Sequence, residues 1–242
     1  MDAYWENKVD LTAALRMAAR LDLHEGVDNH FSVMLSEKPF RFLLNPNRRH
    51  WSALRASELV EVDERGSPIG AYEAPEKTAF FIHSRIHMAC PQAKCIFHTH
   101  MRYATALTML EGGRLEPVVQ SALKFFGQVA YLDDFGGLAL DEEEGDRMAK
   151  ALGDKRILFL ANHGVIIVGT TVAHAFNDLY YLEKSCMAQI TAMSSGAPLK
   201  RIPQDVAAHT HEQMQKDRDD QSSRHFSEIK RILDKDEPDY AS

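Results

Sequence analysis

Two apolar runs that are broken by histidine constrain this chain more than any of its other features. The first, Lys94-Cys95-Ile96-Phe97-His98-Thr99-His100, reads as a strand with imidazoles at its end. Side chains alternate faces along a strand, so residues two apart point the same way. His98 and His100 therefore share a side, roughly 6–7 Å apart at the backbone, a span that one metal ion bridges. The second run, Ile157 to Val168, is broken at Asn162-His163-Gly164. Three imidazoles where hydrophobic side chains belong point to a metal site. For any one of them a buried, hydrogen-bonded histidine is the plainer alternative, and the i, i+2 pair together with the Asn-His-Gly turn is what favours the metal. Three imidazole ligands leave an open position, as catalytic sites do and structural zinc sites do not.

The rest of the chain alternates helices and strands. Leu11, Leu15, Ala18 and Leu21 recur at helical spacing and predict a helix over 7–22. Short strands are expected at Phe31–Leu35, Phe40–Leu44 and Leu59–Val62. A helix over 76–89 ends before Pro91, because proline disfavours helical geometry in the residue before it. Further helices are expected at Met101–Leu110, at Asp141–Leu152 with acidic residues in its first turn, and from Thr171 to about Met193. Gln128–Tyr131 reads as one more strand. Mixed elements in alternation indicate an α/β layered domain. Two units are expected: residues 1–200 as the domain, and residues 201–242 as a charged, solvated helical tail packing through Val206, Met214, Phe226, Ile229 and Ile232.

Composition narrows the function classes. The net charge is -7 with no basic stripe, so nucleic acid is not an expected partner. No run of about 18 apolar residues exists, so no membrane span is expected. Three cysteines without a CxxC pair fit a reducing compartment, and the N-terminus lacks the apolar core of a signal peptide, so a cytoplasmic location is expected. Cys95 sits in a buried strand with no activating neighbour and is not read as a nucleophile. No GxGxxG, P-loop or GxSxG motif is present.

Other histidines divide by position. His83 and His87 lie at i, i+4 on one helix face but lack the glutamate of HExxH, because Ser84 follows His83. His83 is expected behind the ligands or in the core, and His87 at the surface or an interface. His24 and His174 fall near helix ends, and His209 and His211 in the polar tail. His30 and His50 are placed in loops beside strand ends, where pocket residues concentrate. Asn45-Pro46-Asn47-Arg48-Arg49-His50-Trp51 either holds an anionic substrate through Arg48 or is an ordinary charged turn.

Asn29-His30-Phe31-Ser32, Ala89-Cys90-Pro91 leading to His98-Thr99-His100, and Asn162-His163-Gly164-Val165 together resemble the class II aldolase/adducin family over about residues 7–195. The resemblance implies a three-layer α/β/α sandwich with a mostly antiparallel central sheet. It also implies homotetramers with active sites between subunits, and His98, His100 and His163 as metal ligands. The family's catalytic glutamate falls at Ala79 and its phosphate-holding serines at Lys77 and Thr78. Its Gly-Asn pair is replaced by Asn29-His30 and a later glycine by Arg48. A carboxylate-bearing small molecule is therefore the expected substrate, not a sugar phosphate. Asn29, Asn47, Arg48, Lys77 and Gln120 are the candidate substrate-binding residues, with Tyr131 reaching in beside Gln120. His30 and Glu76, the latter one turn before Ala79, are the candidate catalytic residues.

The expected cofactor is one divalent ion, Zn2+ or Fe2+, with Mn2+, Co2+ and Ni2+ also suited to imidazole ligands. The expected activity is a lyase cleaving a carbon–carbon bond of a small hydroxy- or oxo-acid, by aldol cleavage or decarboxylation, through a metal-stabilised enediolate. One alternative is a non-haem Fe(II) oxygenase cleaving a carbon–carbon bond on the same fold. The other is a non-catalytic adducin-like interaction module; adducin-type members lack the metal histidines that this chain keeps.

Overall fold

Alternation along the strands decides the layers of this molecule, described here by a computed structural model for residues 2–70 and 72–242. Seven strands form one sheet: β1 (His30–Glu37), β2 (Phe40–Leu44), β3 (Val60–Asp63), β4 (Cys95–Thr99), β5 (Val129–Leu132), β6 (Ile157–Leu160) and β7 (Gly164–Gly169). Their order is β3-β2-β1-β4-β7-β6-β5, antiparallel throughout except for the parallel pair β5 and β6. On β4, Cys95 and Phe97 face one side while Ile96 faces the other, which sends His98 to the Ile96 side.

The Phe97 side is covered by α1 (Ala3–Arg20), α3 (Arg102–Thr108), α5 (Val172–Met193) and α7 (Arg218–Asp236). Phe31 and Phe97 stack there across neighbouring strands at 3.9 Å between ring centroids. The Ile96 side is covered by α2 (Lys77–Ala89) and α4 (Glu142–Leu152), through Ile82, Ile86, Met148 and Leu152. The result is the three-layer α/β/α sandwich, with both faces of the central strands dry. Among the described residues no helix is long and apolar enough to cross a membrane.

Local chemistry sets the helix starts. Asp2, Asp141 and Thr171 each accept a hydrogen bond from a backbone N–H three residues on, opening α1, α4 and α5. Glu76 does the same for α2 through the Ala79 N–H. That helix therefore begins at Lys77, one residue later than expected.

The segment after residue 200 is helical, as expected, and more deeply packed than a solvated tail. It contains α6 (Gln204–Lys216) and α7, and Phe226, Ile229 and Leu233 join the main core. Tyr240 is buried beside them. Val206 and Ile232, expected to pack, face solvent instead, since the buried stripe of α7 runs through positions 226, 229 and 233. His211, expected to be solvated, lies against the Leu123 carbonyl at 2.9 Å.

Candidate metal centre

Three elements bring the imidazoles together. His98 is the fourth residue of β4, His100 follows one residue past its end, and His163 sits in the turn between β6 and β7. Ring centroids are 5.1 Å apart for His98–His100, 4.7 Å for His98–His163 and 4.8 Å for His100–His163. One nitrogen from each ring lies within 4.8 Å of the others. The Asn-His-Gly turn is shaped for this. Asn162 takes a left-handed φ of 55°, which asparagine tolerates, and Gly164 lets β7 pass close to His100.

The outer nitrogens of His98 and His100 are held. His98 Nδ1 donates to the Val165 carbonyl at 3.1 Å, leaving Nε2 as a lone pair. His100 Nδ1 bonds the Glu25 carboxylate, and its Nε2 is buried with no partner. Burial, reinforced by the neighbouring imidazoles, pushes His98 well below its ordinary value. Burial and His100 push His163 down to about 4. Two rings held neutral by burial, a third backed by a carboxylate, and a buried Nε2 without a partner make a donor set that suits a divalent ion.

The centre opens into a cavity of about 1010 Å3. Asn29, His30, Asn47, Arg48, Glu76 and Lys77 all line it, so six of the seven residues expected to bind substrate or act in catalysis converge here. Gln120 does not. It is exposed on a short helical turn (Gln120–Phe125) away from this cavity. Tyr131 also misses it: Tyr131 lies beneath Arg114 and accepts from the Leu115 N–H, lining a neighbouring cavity of about 480 Å3.

Asn29 has two jobs. Its Oδ1 accepts from the Glu25 N–H at 2.6 Å and from the Thr99 hydroxyl at 3.2 Å, tying the loop to the end of β4. Its Nδ2 is buried without a partner. Arg48 is exposed at the mouth with a left-handed φ of 57°, and neither Arg48 nor Lys77 has a carboxylate within salt-bridge distance among the described residues. Glu76 is engaged as the α2 cap, accepting from Ala79 N at 2.8 Å and from the Thr78 hydroxyl. Burial alone would raise its carboxyl, but these hydrogen bonds outweigh it and hold Glu76 below the usual carboxylate range.

Two placements correct the sequence reading. His30 is not a loop residue: it opens β1, pairs with His98 across the sheet and packs ring to ring with it at 4.8 Å. Burial pushes His30 down to about 3, against the pull of Glu76. His87 is not at the surface but buried, where it bonds the Ser32 hydroxyl and the Ala93 carbonyl. Sequence also missed Glu25, which carries no pattern of its own, and the apolar wall of Met109, Phe135 and Leu138.

A profile of the family described as "Class II Aldolase and Adducin N-terminal domain" matches residues 9–190. A crystal structure of an aldolase II superfamily protein from Pseudomonas syringae is 33% identical, with a TM-score of 0.92 covering 100% of this chain and 97% of that one. "Decarboxylase NovR" from Streptomyces niveus is 31% identical over 88% of this chain and 80% of its own length. A "4-hydroxy-3-prenylphenylpyruvate oxygenase/4-hydroxy-3-prenylbenzoate synthase" from Streptomyces roseochromogenus subsp. oscitans is 30% identical over 88% of this chain and 78% of its own.

Proposed function

The chain belongs to the class II aldolase and adducin family, and on that premise we propose that it is a metal-dependent lyase cleaving a carbon–carbon bond of a small, carboxylate-bearing hydroxy- or oxo-acid. One observation carries this: a complete three-imidazole cluster with an orphaned Nε2 opens into a cavity whose mouth holds two unpaired cations, Arg48 and Lys77. A divalent ion in that cluster supplies Lewis-acid stabilisation of negative charge on a substrate oxygen.

The chain's own residues do the remaining work. Arg48 and Lys77 hold the carboxylate, with Asn47 beside them and Asn29 Nδ2 as a further donor. His30 is neutral and lies against His98 at the cavity wall, which makes it the proton acceptor that Ala79 cannot be. In aldol cleavage the hydroxyl proton passes to His30, and the O–H pair becomes the new carbonyl. The C–C bonding pair stays with the carbon beside the acid's oxo group. Decarboxylation of a 3-oxo acid leaves an electron pair at the same carbon, and in both reactions that carbon then takes up a proton. Glu76, ionised, has its carboxylate engaged by the Ala79 N–H and the Thr78 hydroxyl and serves by its charge near His30.

Metal analysis of the protein as isolated comes first. Zinc- and iron-loaded forms are then assayed for CO2 and aldehyde release from a panel of hydroxy- and oxo-acids, in air and without oxygen. Anaerobic turnover by the zinc form, lost in His163→Ala, is the expected result. The names of two relatives, a decarboxylase and an oxygenase, favour oxidative cleavage as the second reading. Turnover that needs Fe(II) and consumes O2 would select it. No metal uptake and no turnover would leave an interaction module.

The same reading includes a homotetramer. Met109, Phe135 and Leu138 border the cavity yet are 60%, 56% and 72% exposed, which supports cover by a neighbouring subunit. Light scattering coupled to size exclusion tests it. The three cysteines are all free and buried, which supports a reducing location.

A further inference from the structure

A row of hydrogen bonds runs from the wall of the cavity into the protein on the α2 side of the sheet. His30 Nδ1 meets His83 Nε2 at 2.8 Å, and His83 Nδ1 meets the Ser32 hydroxyl at 2.5 Å. The same hydroxyl meets His87 Nε2 at 2.8 Å, and His87 Nδ1 meets the Ala93 carbonyl at 2.7 Å. All four side chains are buried. No carboxylate pairs with any of the three rings among the described residues. They are therefore taken as neutral, since an unpaired buried charge is costly.

The far end of the row fixes the direction of every bond in it. A carbonyl only accepts, so His87 carries its hydrogen on Nδ1 and presents a lone pair at Nε2. Ser32 has a single hydrogen and must donate it to that lone pair. Its oxygen is left to accept, which places the His83 hydrogen on Nδ1 and a lone pair on His83 Nε2. His30 then donates from Nδ1, so His30 Nε2 bears no hydrogen. Reversing any one link would leave two hydrogens facing each other or a buried pair unmade.

We propose that Ser32, His83 and His87 are positioning residues that lock His30 in its Nδ1–H tautomer, so that the nitrogen left for the cavity is always an unprotonated acceptor. The catalytic consequence rests on the role given to His30 above; the tautomer itself does not. Three residues would thus provide in this chain what a carboxylate provides without help, an acceptor that is ready at every encounter. Neither Ser32 nor His87 touches the cavity, so each acts only through its neighbour.

Long-range 1H–15N correlation spectra of the zinc-loaded, full-length protein labelled in histidine read the tautomer directly, with His30→Gln giving the assignment. His30 should show a pyrrole-type Nδ1 and a pyridine-type Nε2, at a ratio of at least about ten to one over the other tautomer. Ser32→Ala cuts the row, and the His30 ratio should fall toward about one; Ser32→Thr, which keeps the hydroxyl, should restore it. Bound zinc per chain should stay equal in all three. A wild-type His30 with its hydrogen on Nε2, or an even mixture, overturns the proposal even if no variant folds. A ratio unchanged in Ser32→Ala overturns it as well. No substrate enters the measurement, so failure of the lyase assignment and failure of the tautomer lock are separately visible.

Discussion

Gly164 passes so close to His100 that a Cβ on the glycine would lie 2.7 Å from His100 Cδ2 and 2.7 Å from the Thr99 carbonyl oxygen. One contact is with rigid backbone and the other with a ring held by Glu25, so neither yields cheaply. Gly164→Ala should push β7 from β4 at the point where His163 enters. The expected outcome is zinc binding weakened roughly 10–100-fold, the range seen when groups around a ligand are disturbed. Stability should fall by about 1–3 kcal/mol from overpacking. Competition titration and urea unfolding measure the two effects. Wild-type zinc affinity in this variant would show that the close approach does not set the triad.

The orphaned His100 Nε2 and its two companion rings should make metal binding visible as stability. At free zinc about 100 times Kd, binding adds about 2.7 kcal/mol. That is roughly 5–10 °C in melting temperature for a chain of this size. His163→Ala should abolish the shift. Glu25→Gln should keep a reduced shift, because Nδ1 retains a partner that is no longer charged. Equal shifts in all three proteins would place the zinc elsewhere.

Arg48 and Lys77 are exposed enough, and unpaired enough, to be removed without structural cost. A charge-assisted hydrogen bond contributes about 1.5–3 kcal/mol. Arg48→Ala or Lys77→Ala should therefore raise KM for a carboxylate substrate roughly 10–100-fold, with a smaller effect on kcat. Melting temperature should stay near wild type. A kcat loss with KM unchanged would move these residues from binding to chemistry.

Much of this arrangement is legible in the sequence, and the gaps have physical causes. Strand alternation places His98 and His100 on one side, and the interrupted run places His163 at a turn. Both rest on local periodicity alone. That β4 lies between β1 and β7 is a matter of long-range pairing, which no local pattern encodes. By local pattern His30 therefore falls in a loop, although its pairing with His98 makes it part of the site. His87 reads as a surface or interface residue because its partners, Ser32 and Ala93, come from β1 and from the loop after α2. Gln120 fell outside because spacing cannot say where a connecting segment turns.

The buried histidine row should make the metal-free protein sensitive to acid. Burial holds His30 down to about 3 and His87 down to about 4, and it lowers His83 well below its ordinary value. Each folded value lies below the unfolded one of about 6.5, so the unfolded chain binds more protons as pH falls. The stabilising contribution is whole above about pH 6.5 and is lost progressively toward pH 4. Each ring steepens the loss by about 1.4 kcal/mol per pH unit in that window. His87→Gln keeps a donor for Ala93 and an acceptor for Ser32 but cannot titrate, so its acid limb should be shallower by one ring's share. Urea midpoints of chelator-treated protein between about pH 4.5 and 7 test this. A slope equal to wild type would mean that His87 is not held neutral by the fold.

The C-terminal segment should prove inseparable from the domain. Arg16 on α1 is 5% exposed, and its guanidinium reaches Glu237 at 3.1 Å and Asp239 at 2.9 Å, while its Nε donates to the Leu54 carbonyl. Leu233 is fully buried against the same face. Ending the chain near residue 203 would strip both carboxylates from a buried cation and bare the apolar faces of α1 and α5. That truncated protein should be insoluble or unfolded. Leu233→Ala is the gentler test, expected to cost about 2–5 kcal/mol by denaturant unfolding. It should leave zinc affinity unchanged, because α7 lies on the side of the sheet away from His98. A soluble, cooperatively folding truncation that binds zinc would show that the domain does not need residues 201–242.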